Sequence, residues 1–246
     1  MKITYLGHSG FLVELKECYL LFDYYTGKLP VFSPEKNLTV FVSHSHQDHY
    51  NKAIFGIDPG HFPITYVLSK DIRKKQAEEL VKREDKLLFV KAHEVYELYG
   101  GRMRIETLRS TDAGVAYIVT VTQESGKTRR IYHAGDLNLW KWAGESKAHN
   151  NNMEANYRRE MELLKGQYFD AAFVPLDPRL EQFAFGGMDI FLETASVEAL
   201  FPMHFWKQPE IIGKYLRERP EAVNLIKLKE EGKTYTFQDK EQRRGP

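Results

Sequence analysis

The length, composition and charge of the chain exclude several classes of protein. Its 246 residues, 42% of them hydrophobic, can bury a sizeable core, and we expect one domain over residues 1–240. The 35 basic and 34 acidic side chains leave a formal net charge of +1, so composition gives no electrostatic case for nucleic acid or an anionic membrane as the main partner.

Cysteine usage and hydropathy indicate where the protein works. Cys18 is the single cysteine, which excludes an intramolecular disulfide and favours a reducing compartment. The amino terminus lacks the apolar run of about 7 to 15 residues that marks a secretory signal, and no stretch approaches the roughly 18 apolar residues of a membrane span. We therefore expect a cytoplasmic protein without a membrane anchor. Residues 241–246 should form a disordered tail.

The first half of the chain predicts an α/β pattern. The expected elements are strands over residues 2–6, 11–15, 19–23, 38–42 and 64–68, then a helix over 71–83. The first three strands should form an antiparallel meander. Ser69 is the expected cap of the helix.

The second half predicts another sheet-forming region followed by mixed helices and strands. Strands are expected over residues 87–90, 95–98, 102–108, 115–122, 129–132 and 169–176, with two short ones near the end. Helices are expected over residues 153–165, from Gly186 to about Ala199, and over 210–218.

The densest cluster of potential metal ligands follows an apolar, β-branched run in residues 38–50, which read LTVFVSHSHQDHY. If strand geometry persists, His44 and His46 project to the same side, while Asp48 and His49 can turn toward a second point. Imidazole nitrogens and a carboxylate are ligands that zinc prefers. The alternative is a polar surface loop whose histidines are satisfied by hydrogen bonds.

Five further residues are weaker candidates when each is taken alone. His8 lies in a glycine-flanked turn, and His204 ends an apolar segment. Asp23, Asp112 and Asp136 each follow a predicted strand, the position from which α/β folds present functional groups. The alternative for each is local: a turn residue, a cap or a structural histidine.

Together these residues resemble the metallo-β-lactamase superfamily. The run from His44 to His49 matches the signature HxHxDH, and Asp23, Asp136 and His204 follow the order of that family's supporting motifs. The resemblance spans residues 2 to about 204. Residues 3–9, ITYLGHS, resemble the branch that includes the L-ascorbate-6-phosphate lactonases and many metal-dependent hydrolases.

The resemblance implies a four-layer αββα sandwich with its site at one edge of two sheets. Carried over by position, it implies one metal on His44 and His46, a second on Asp48, His49 and His204, and Asp136 as the bridge. It also implies that Asp23 holds a ligand histidine in its tautomer and that His8 lies near the site.

The sequence departs from the family pattern at one ligand. Most relatives supply a further histidine to the first metal from the loop before the Gly-Asp pair, and here that loop, residues 110–114, reads STDAG. Asp112 is its only strong ligand and is our expected third donor, with His93 as the competing candidate. A carboxylate there would make manganese or iron plausible beside zinc.

The implied activity is that of a dinuclear metal-dependent hydrolase acting on a small ester, lactone or phosphodiester. A hydroxide bridging the metals would be the nucleophile, with Asp136 positioning it and Asp48 accepting or returning a proton. His8, His133, Arg179 and the loop at Trp140 and Trp142 are candidate substrate contacts, each with a purely structural alternative.

Other functions are weighed against this one. A nuclease is disfavoured because RNA-processing relatives usually carry an extra nucleic-acid domain, and the charge is balanced. Redox di-iron relatives tend to have Glu at the position of His46 and a flavin domain, and neither is present. A non-catalytic metal-binding regulatory domain is the remaining alternative. We expect a small-molecule substrate, and a homo-oligomer remains open because lactonase-type relatives often assemble.

Overall fold

Two mixed β-sheets with helices around them make up the described part of the chain. The structure, a computed structural model, describes residues 1–58, 63–82, 84–228 and 230–238. Its strands are β1 (Lys2–Gly7), β2 (Gly10–Glu14), β3 (Cys18–Phe22), β4 (Asn37–Val42), β5 (Thr65–Ser69), β6 (Lys86–Val90), β7 (Val95–Leu98), β8 (Met103–Arg109), β9 (Val115–Thr122), β10 (Thr128–His133), β11 (Tyr168–Pro175), β12 (Ser196–Met203) and β13 (Thr234–Thr236). Its α-helices are α1 (Lys74–Leu80), α2 (Lys147–Glu162), α3 (Gly186–Thr194) and α4 (Glu210–Glu218).

The first sheet has the order β13-β1-β2-β3-β4-β5-β6. Strands β1, β2 and β3 pair antiparallel, as the alternation of apolar runs and tight turns predicts, and β3 to β6 pair in parallel. Five of the six residues of β4 are buried, which suits a parallel strand covered on both faces. This strand leads directly into the histidine-rich loop.

The second sheet has the order β12-β11-β10-β9-β8-β7. Strands β7 to β10 pair antiparallel, whereas β10, β11 and β12 are parallel neighbours. The carboxyl ends of parallel strands lie at one sheet edge, where α/β proteins place their sites.

Aromatic side chains from both sheets fill the space between them. Phe11 of β2 stacks on Phe173 of β11 with ring centroids 4.2 Å apart, and Phe22 of β3 lies 6.0 Å from the same ring. A second buried cluster covers the outer face of the first sheet and includes Ala77 of α1. On the second sheet, Phe191 of α3 stacks on Tyr132 of β10. The arrangement is the predicted αββα sandwich, which confirms the fold class.

Several predicted boundaries are wrong. The helix expected to reach Ala199 ends at Thr194, because residues from Ser196 onward form β12 and pair in parallel with β11. Helix α2 begins six residues earlier than expected, where Ser146 accepts a hydrogen bond from the backbone N–H of His149. Ser69 ends β5 and does not cap α1, whose N-cap is Arg73.

Two sequence expectations fall partly or wholly outside the described residues. These are the predicted tail, residues 241–246, and the last residue of the predicted helix over 71–83.

Near the end, β13 is the single strand in the described residues, where two were expected. No helix in the described part of the chain is long and apolar enough to cross a membrane.

The close approach of the two sheets near the site predicts an unequal effect of two glycine substitutions. Gly114 and Gly126 both have positive φ, +70° and +80°. A Cβ on Gly114 would collide with the Ser43 carbonyl oxygen, whereas nothing lies within 4 Å of a Cβ on Gly126. We expect Gly126→Ala to cost about 1–2 kcal/mol in backbone strain. Gly114→Ala should cost about 2–5 kcal/mol, because overpacking adds to that strain. Denaturant unfolding midpoints measure both, and equal losses would contradict the close approach.

Candidate metal centre

Residues from the ends of strands in both sheets meet at one edge of the sandwich. His8 follows β1, Asp23 follows β3, and the loop containing His44 follows β4. From the second sheet, Asp136 follows β10 and His204 follows β12. Potential ligand atoms form two adjacent groups among the described residues: His44, His46 and Asp136 in one, and His8, Asp48, His49 and His204 in the other, with the atoms of each group all within 4.8 Å of one another.

The first group is open to solvent on one side. His44 is fully buried, and its Nε2 lies 3.3 Å from Asp136 Oδ2. His46 is exposed, and its ring lies 4.5 Å from that of His44 in an edge-to-face arrangement. This group can hold an ion between a buried and an accessible imidazole.

The second group, called the enclosed group below, contains three buried histidines, and its Asp48 is partly exposed at the surface. His49 Nε2 and His204 Nε2 lie 2.8 Å apart, so the two ring nitrogens face one another. His8 Nε2 lies 3.2 Å from Asp48 Oδ2, and that oxygen lies 4.0 Å from His49 Nε2. Three imidazoles and one carboxylate therefore surround a common space.

Asp136 joins the two groups. Its Oδ1 lies 2.9 Å from His204 Nε2 and 3.1 Å from His49 Nε2, while its Oδ2 faces His44. The residue is 4% exposed. One carboxylate thus presents one oxygen to each group, which is the geometry required of a bridging ligand.

A buried carboxylate supports His49 from behind. Asp23 Oδ2 accepts a hydrogen bond from His49 Nδ1 at 2.7 Å. The same side chain accepts hydrogen bonds from the backbone N–H and the hydroxyl of Ser43, at 2.7 and 2.6 Å. Fixing Nδ1 as the donor leaves Nε2 with its lone pair directed at the group, as metal-binding histidines require.

Asp177 gives His204 the corresponding support, and the sequence interpretation did not include it. This fully buried residue places Oδ2 3.4 Å from His204 Nδ1 and 3.3 Å from Trp206 Nε1. Arg179 binds both of its carboxylate oxygens through Nε. The signal was an acid directly after a buried strand, the same signal that picked out Asp23. Asp177 also caps the following turn, where its side chain accepts a hydrogen bond from the Arg179 backbone N–H.

The charges of the site are strongly coupled. Burial alone would lower the pKa of His49, but the Asp136 and Asp23 carboxylates outweigh it and raise that pKa to about 10. Burial would likewise raise the pKa of Asp136, yet His204 and His49 hold it well below its usual range. His8 differs, because burial lowers its pKa to about 4 and Asp48 offsets only part of that effect. The site combines ionised carboxylates with imidazoles whose protons a bound cation would replace.

The residues fit divalent metal ions. Among the described residues, His8 Nε2, His44 Nε2 and Asp136 Oδ1 are buried atoms that lie 2.9 to 3.3 Å from another potential ligand atom without making a well-directed hydrogen bond. Buried polar atoms are rarely left unpaired, and unpaired ones call for an explanation such as an ion. Imidazole nitrogens together with carboxylates suit zinc and related first-row metals.

The structure does not bring Asp112 into either group of potential ligands among the described residues, contrary to expectation. Ser110 N–H donates to the Gly114 carbonyl, so the loop turns back tightly with Asp112 at its exposed tip. The competing candidate, His93, bonds Glu160 at 2.8 Å and also lies outside both groups. Among the described residues, neither Asp112 nor His93 therefore supplies the further donor expected beside His44, His46 and Asp136.

Two other sequence candidates have different surroundings. His133 is fully buried, donates from Nε2 to the Ser9 carbonyl and accepts the Gly135 N–H at Nδ1, so it ties the two sheets together behind the site. Arg179 instead lines a cavity of about 490 Å³ in front of the site, with its guanidinium 4.5 Å from the Trp206 ring centroid. Trp140 and Trp142 line the same cavity.

Comparison with known proteins agrees with this geometry. The family described as the beta-lactamase superfamily domain matches residues 2–140, more than half of the chain. The chain belongs to the beta-lactamase superfamily. The match includes the histidine-rich loop and Asp136, so the family assignment rests on the segment that supplies most of the site.

Individual relatives match to different extents. A metal-dependent hydrolase from Korarchaeum cryptofilum is 26% identical over 247 residues, covering 93% of this chain and 96% of the relative. One from Opitutus terrae is 43% identical over 58 residues, 22% of this chain and 26% of that relative, so the match spans about a quarter of its length. Igni18, a metallo hydrolase from Ignicoccus hospitalis, shares the fold with a TM-score of 0.60 and 18% identity, covering 96% of this chain and 99% of its own.

The support that Asp177 gives to His204 can be tested by metal affinity. Asp177→Asn removes the carboxylate behind the ligand ring, so we expect the affinity for zinc to fall about 10- to 100-fold. Competition with a chromogenic chelator measures it. Asp170→Asn is the matched control, because Asp170 is a buried carboxylate of β11 that binds Arg129. The control should change stability and leave metal affinity as in the parent protein. Unchanged affinity in Asp177→Asn would show that His204 needs no such support.

Proposed function

We propose that the protein is a dinuclear metal-dependent hydrolase of a small ester, lactone or phosphodiester. The observation that carries this proposal is the buried Asp136 carboxylate, which presents one oxygen to each of two groups of potential ligands. Hydrolases with paired metals use such a bridge to hold both ions against one substrate group.

The donors divide naturally between two ions. His44 and His46 would hold one, and Asp48, His49 and His204 the other, with Asp136 shared. Bound divalent ions would supply Lewis acidity toward a carbonyl or phosphoryl oxygen and lower the pKa of a water molecule. Zinc is our first choice for this donor set, with manganese or iron as alternatives. Manganese or iron was plausible because an Asp112 carboxylate would add an oxygen ligand. Since Asp112 lies outside both ligand groups, zinc is favoured.

The chain's own residues supply orientation and proton transfer. Asp136 is fixed by three imidazoles, so it can position an attacking water without moving. Asp48 is about 29% exposed at the cavity, and its Oδ2 can accept a proton from that water and return it to a leaving group. Asp23 and Asp177 hold the His49 and His204 rings in a fixed orientation during this proton transfer.

The cavity favours a small molecule over nucleic acid. Its volume of about 490 Å³ falls within the range of small-ligand sites. Among the described residues that line it, Arg179 is the single lysine or arginine, against four acids: Asp48, Asp112, Asp136 and Glu145. A track for a phosphate backbone would need several cations. The tryptophans offer apolar walls for the organic part of a substrate.

The proposal predicts paired losses of metal and turnover. Asp136→Ala removes the shared ligand, so the protein purified without chelator should lose at least one equivalent of metal. Hydrolysis of a generic phosphodiester or a responsive lactone should then fall by about two orders of magnitude or more. Elemental analysis and a spectrophotometric assay measure these effects.

Asp112→Asn is the matched control, since that acid lines the same cavity but belongs to neither ligand group. It should keep its metal and most of its activity. If Asp136→Ala retained both, the dinuclear assignment would be wrong. Full metal occupancy with no turnover of any ester, lactone or phosphodiester would favour a regulatory domain. A salt-sensitive affinity for RNA would favour a nuclease.

Arg179 should set the preference for charged substrates. Its Nε and Nη2 bind Asp177, which fixes the guanidinium at the cavity wall. We expect Arg179→Gln to raise KM about 10-fold for a p-nitrophenyl ester bearing a carboxylate, because one charged hydrogen bond is lost. The KM for the neutral ester should stay constant. Arg219→Gln is the control, because Arg219 pairs with Asp189 through the same two nitrogens away from the cavity-lining residues. Equal changes for both esters would contradict this role.

A further inference from the structure

His8 occupies a backbone conformation that a histidine does not favour. Its φ is +48°, in the left-handed region, although Gly7 and Gly10 of the same turn could accept such a conformation more easily. A side chain kept in this region by its surroundings commonly belongs to a functional site. The turn therefore holds His8 in an unfavourable backbone conformation.

The His8 side chain is directed into the enclosed ligand group. It is 5% exposed, and its ring lies 4.1 Å from the His204 ring and 5.7 Å from the His49 ring. Nε2 is 3.2 Å from Asp48 Oδ2, and it is a buried atom without a hydrogen-bond partner among the described residues. Packing against Trp206, with ring centroids 4.5 Å apart, positions the ring and does not engage this nitrogen.

We propose that His8 Nε2 is a direct ligand of the metal held by Asp48, His49 and His204, in addition to the donors that the superfamily signature provides. This inference rests on the proposed two-metal site. The enclosed ion would then have five protein donors, three imidazoles and two carboxylates. The open ion would have three, from His44, His46 and Asp136.

Unequal donor sets give the two positions different tasks. The enclosed position binds first and tightly, because almost every donor is buried and fixed by the fold. The open position binds second and keeps free coordination sites, as catalytic metal positions do. Stepwise filling with two distinct affinities follows directly from the number of donors.

Cobalt(II) is the probe for the test, because its visible absorption depends on its coordination number. His8→Gly removes the imidazole and relaxes the backbone at φ +48°, so the relief of backbone strain offsets part of the lost packing and the variant should remain folded. We expect its affinity for the first cobalt equivalent to fall at least about 100-fold, the upper end of losses caused by outer partners. The absorption spectrum should change with it. Added imidazole should occupy the vacated space and restore both properties.

Two further variants separate a ligand from a hydrogen-bond donor. His8→Gln keeps a side-chain N–H that can reach Asp48, so a role limited to holding that carboxylate would leave the cobalt spectrum unchanged, and this outcome would overturn the inference. His149→Gln, at a cavity histidine outside both ligand groups, should leave binding and spectrum as in the parent. Imidazole should have no effect on the parent or on this control.

Failure of this inference is distinguishable from failure of the proposed function. If the parent protein bound no cobalt, the metal site itself would be refuted. If the parent bound two equivalents and His8→Gly bound both with the same affinities and spectrum in the absence of imidazole, the two-metal site would stand. Only the role of His8 would then be wrong.

Discussion

The buried Asp136 carboxylate is the group on which the rest of the site depends. A charge that is 4% exposed is costly unless it is paired, and its partners are His44 and His49 from the first sheet and His204 from the second. The pairing is complete only when the two sheets have closed on each other. Gly135, with φ of +51°, packs directly against Ser43 at this junction and brings the second sheet close to the histidine-rich loop. Folding of the sandwich and assembly of the site are therefore one event, and a bound ion would stabilise the closed sandwich.

Each sheet supplies its ligand histidine with the same kind of support. A strand of the first sheet ends in Asp23, which holds His49 through Nδ1, and a strand of the second ends at Asp177, which faces Nδ1 of His204. Asp23 and His204 both have positive φ, +41° and +64°. Strained backbone on both sides of one small volume indicates that the fold is constrained to deliver these side chains. The burial that makes the carboxylates costly also makes their hydrogen bonds to the rings strong.

Much of this arrangement could be predicted from the sequence, because the decisive signals were local. The run from His44 to His49, followed in order by Asp136 and His204, carried the resemblance to the metallo-β-lactamase superfamily, and that resemblance implied the fold and which groups would meet. What could not be predicted depended on long-range contacts. The segment after Thr194 became β12 because β11 offers parallel pairing partners, which no local helical pattern reveals. Asp112 was expected as a ligand because relatives supply one from this loop and it is the loop's only strong donor, but the tight 110–114 turn places it at the exposed tip. Asp177 has a plain local role as a cap, which concealed its contact with a histidine 27 residues away.

The two ligand groups differ most in their access to solvent, and this difference constrains how chemistry can occur. In the enclosed group His8, His49 and His204 are buried, and Asp48 and His204 are the members that face the cavity. The open group ends at the exposed His46, which lines the same cavity as Arg179 and the tryptophans. For the proposed activity, a substrate in this cavity would place its polar reacting group toward Asp136 and its organic part against the tryptophans. In the proposed two-metal site, this asymmetry would let the enclosed position hold its ion tightly while the open position exchanges ligands. The difference in access arises because His8, His49 and His204 are all buried, whereas His46 of the open group is exposed.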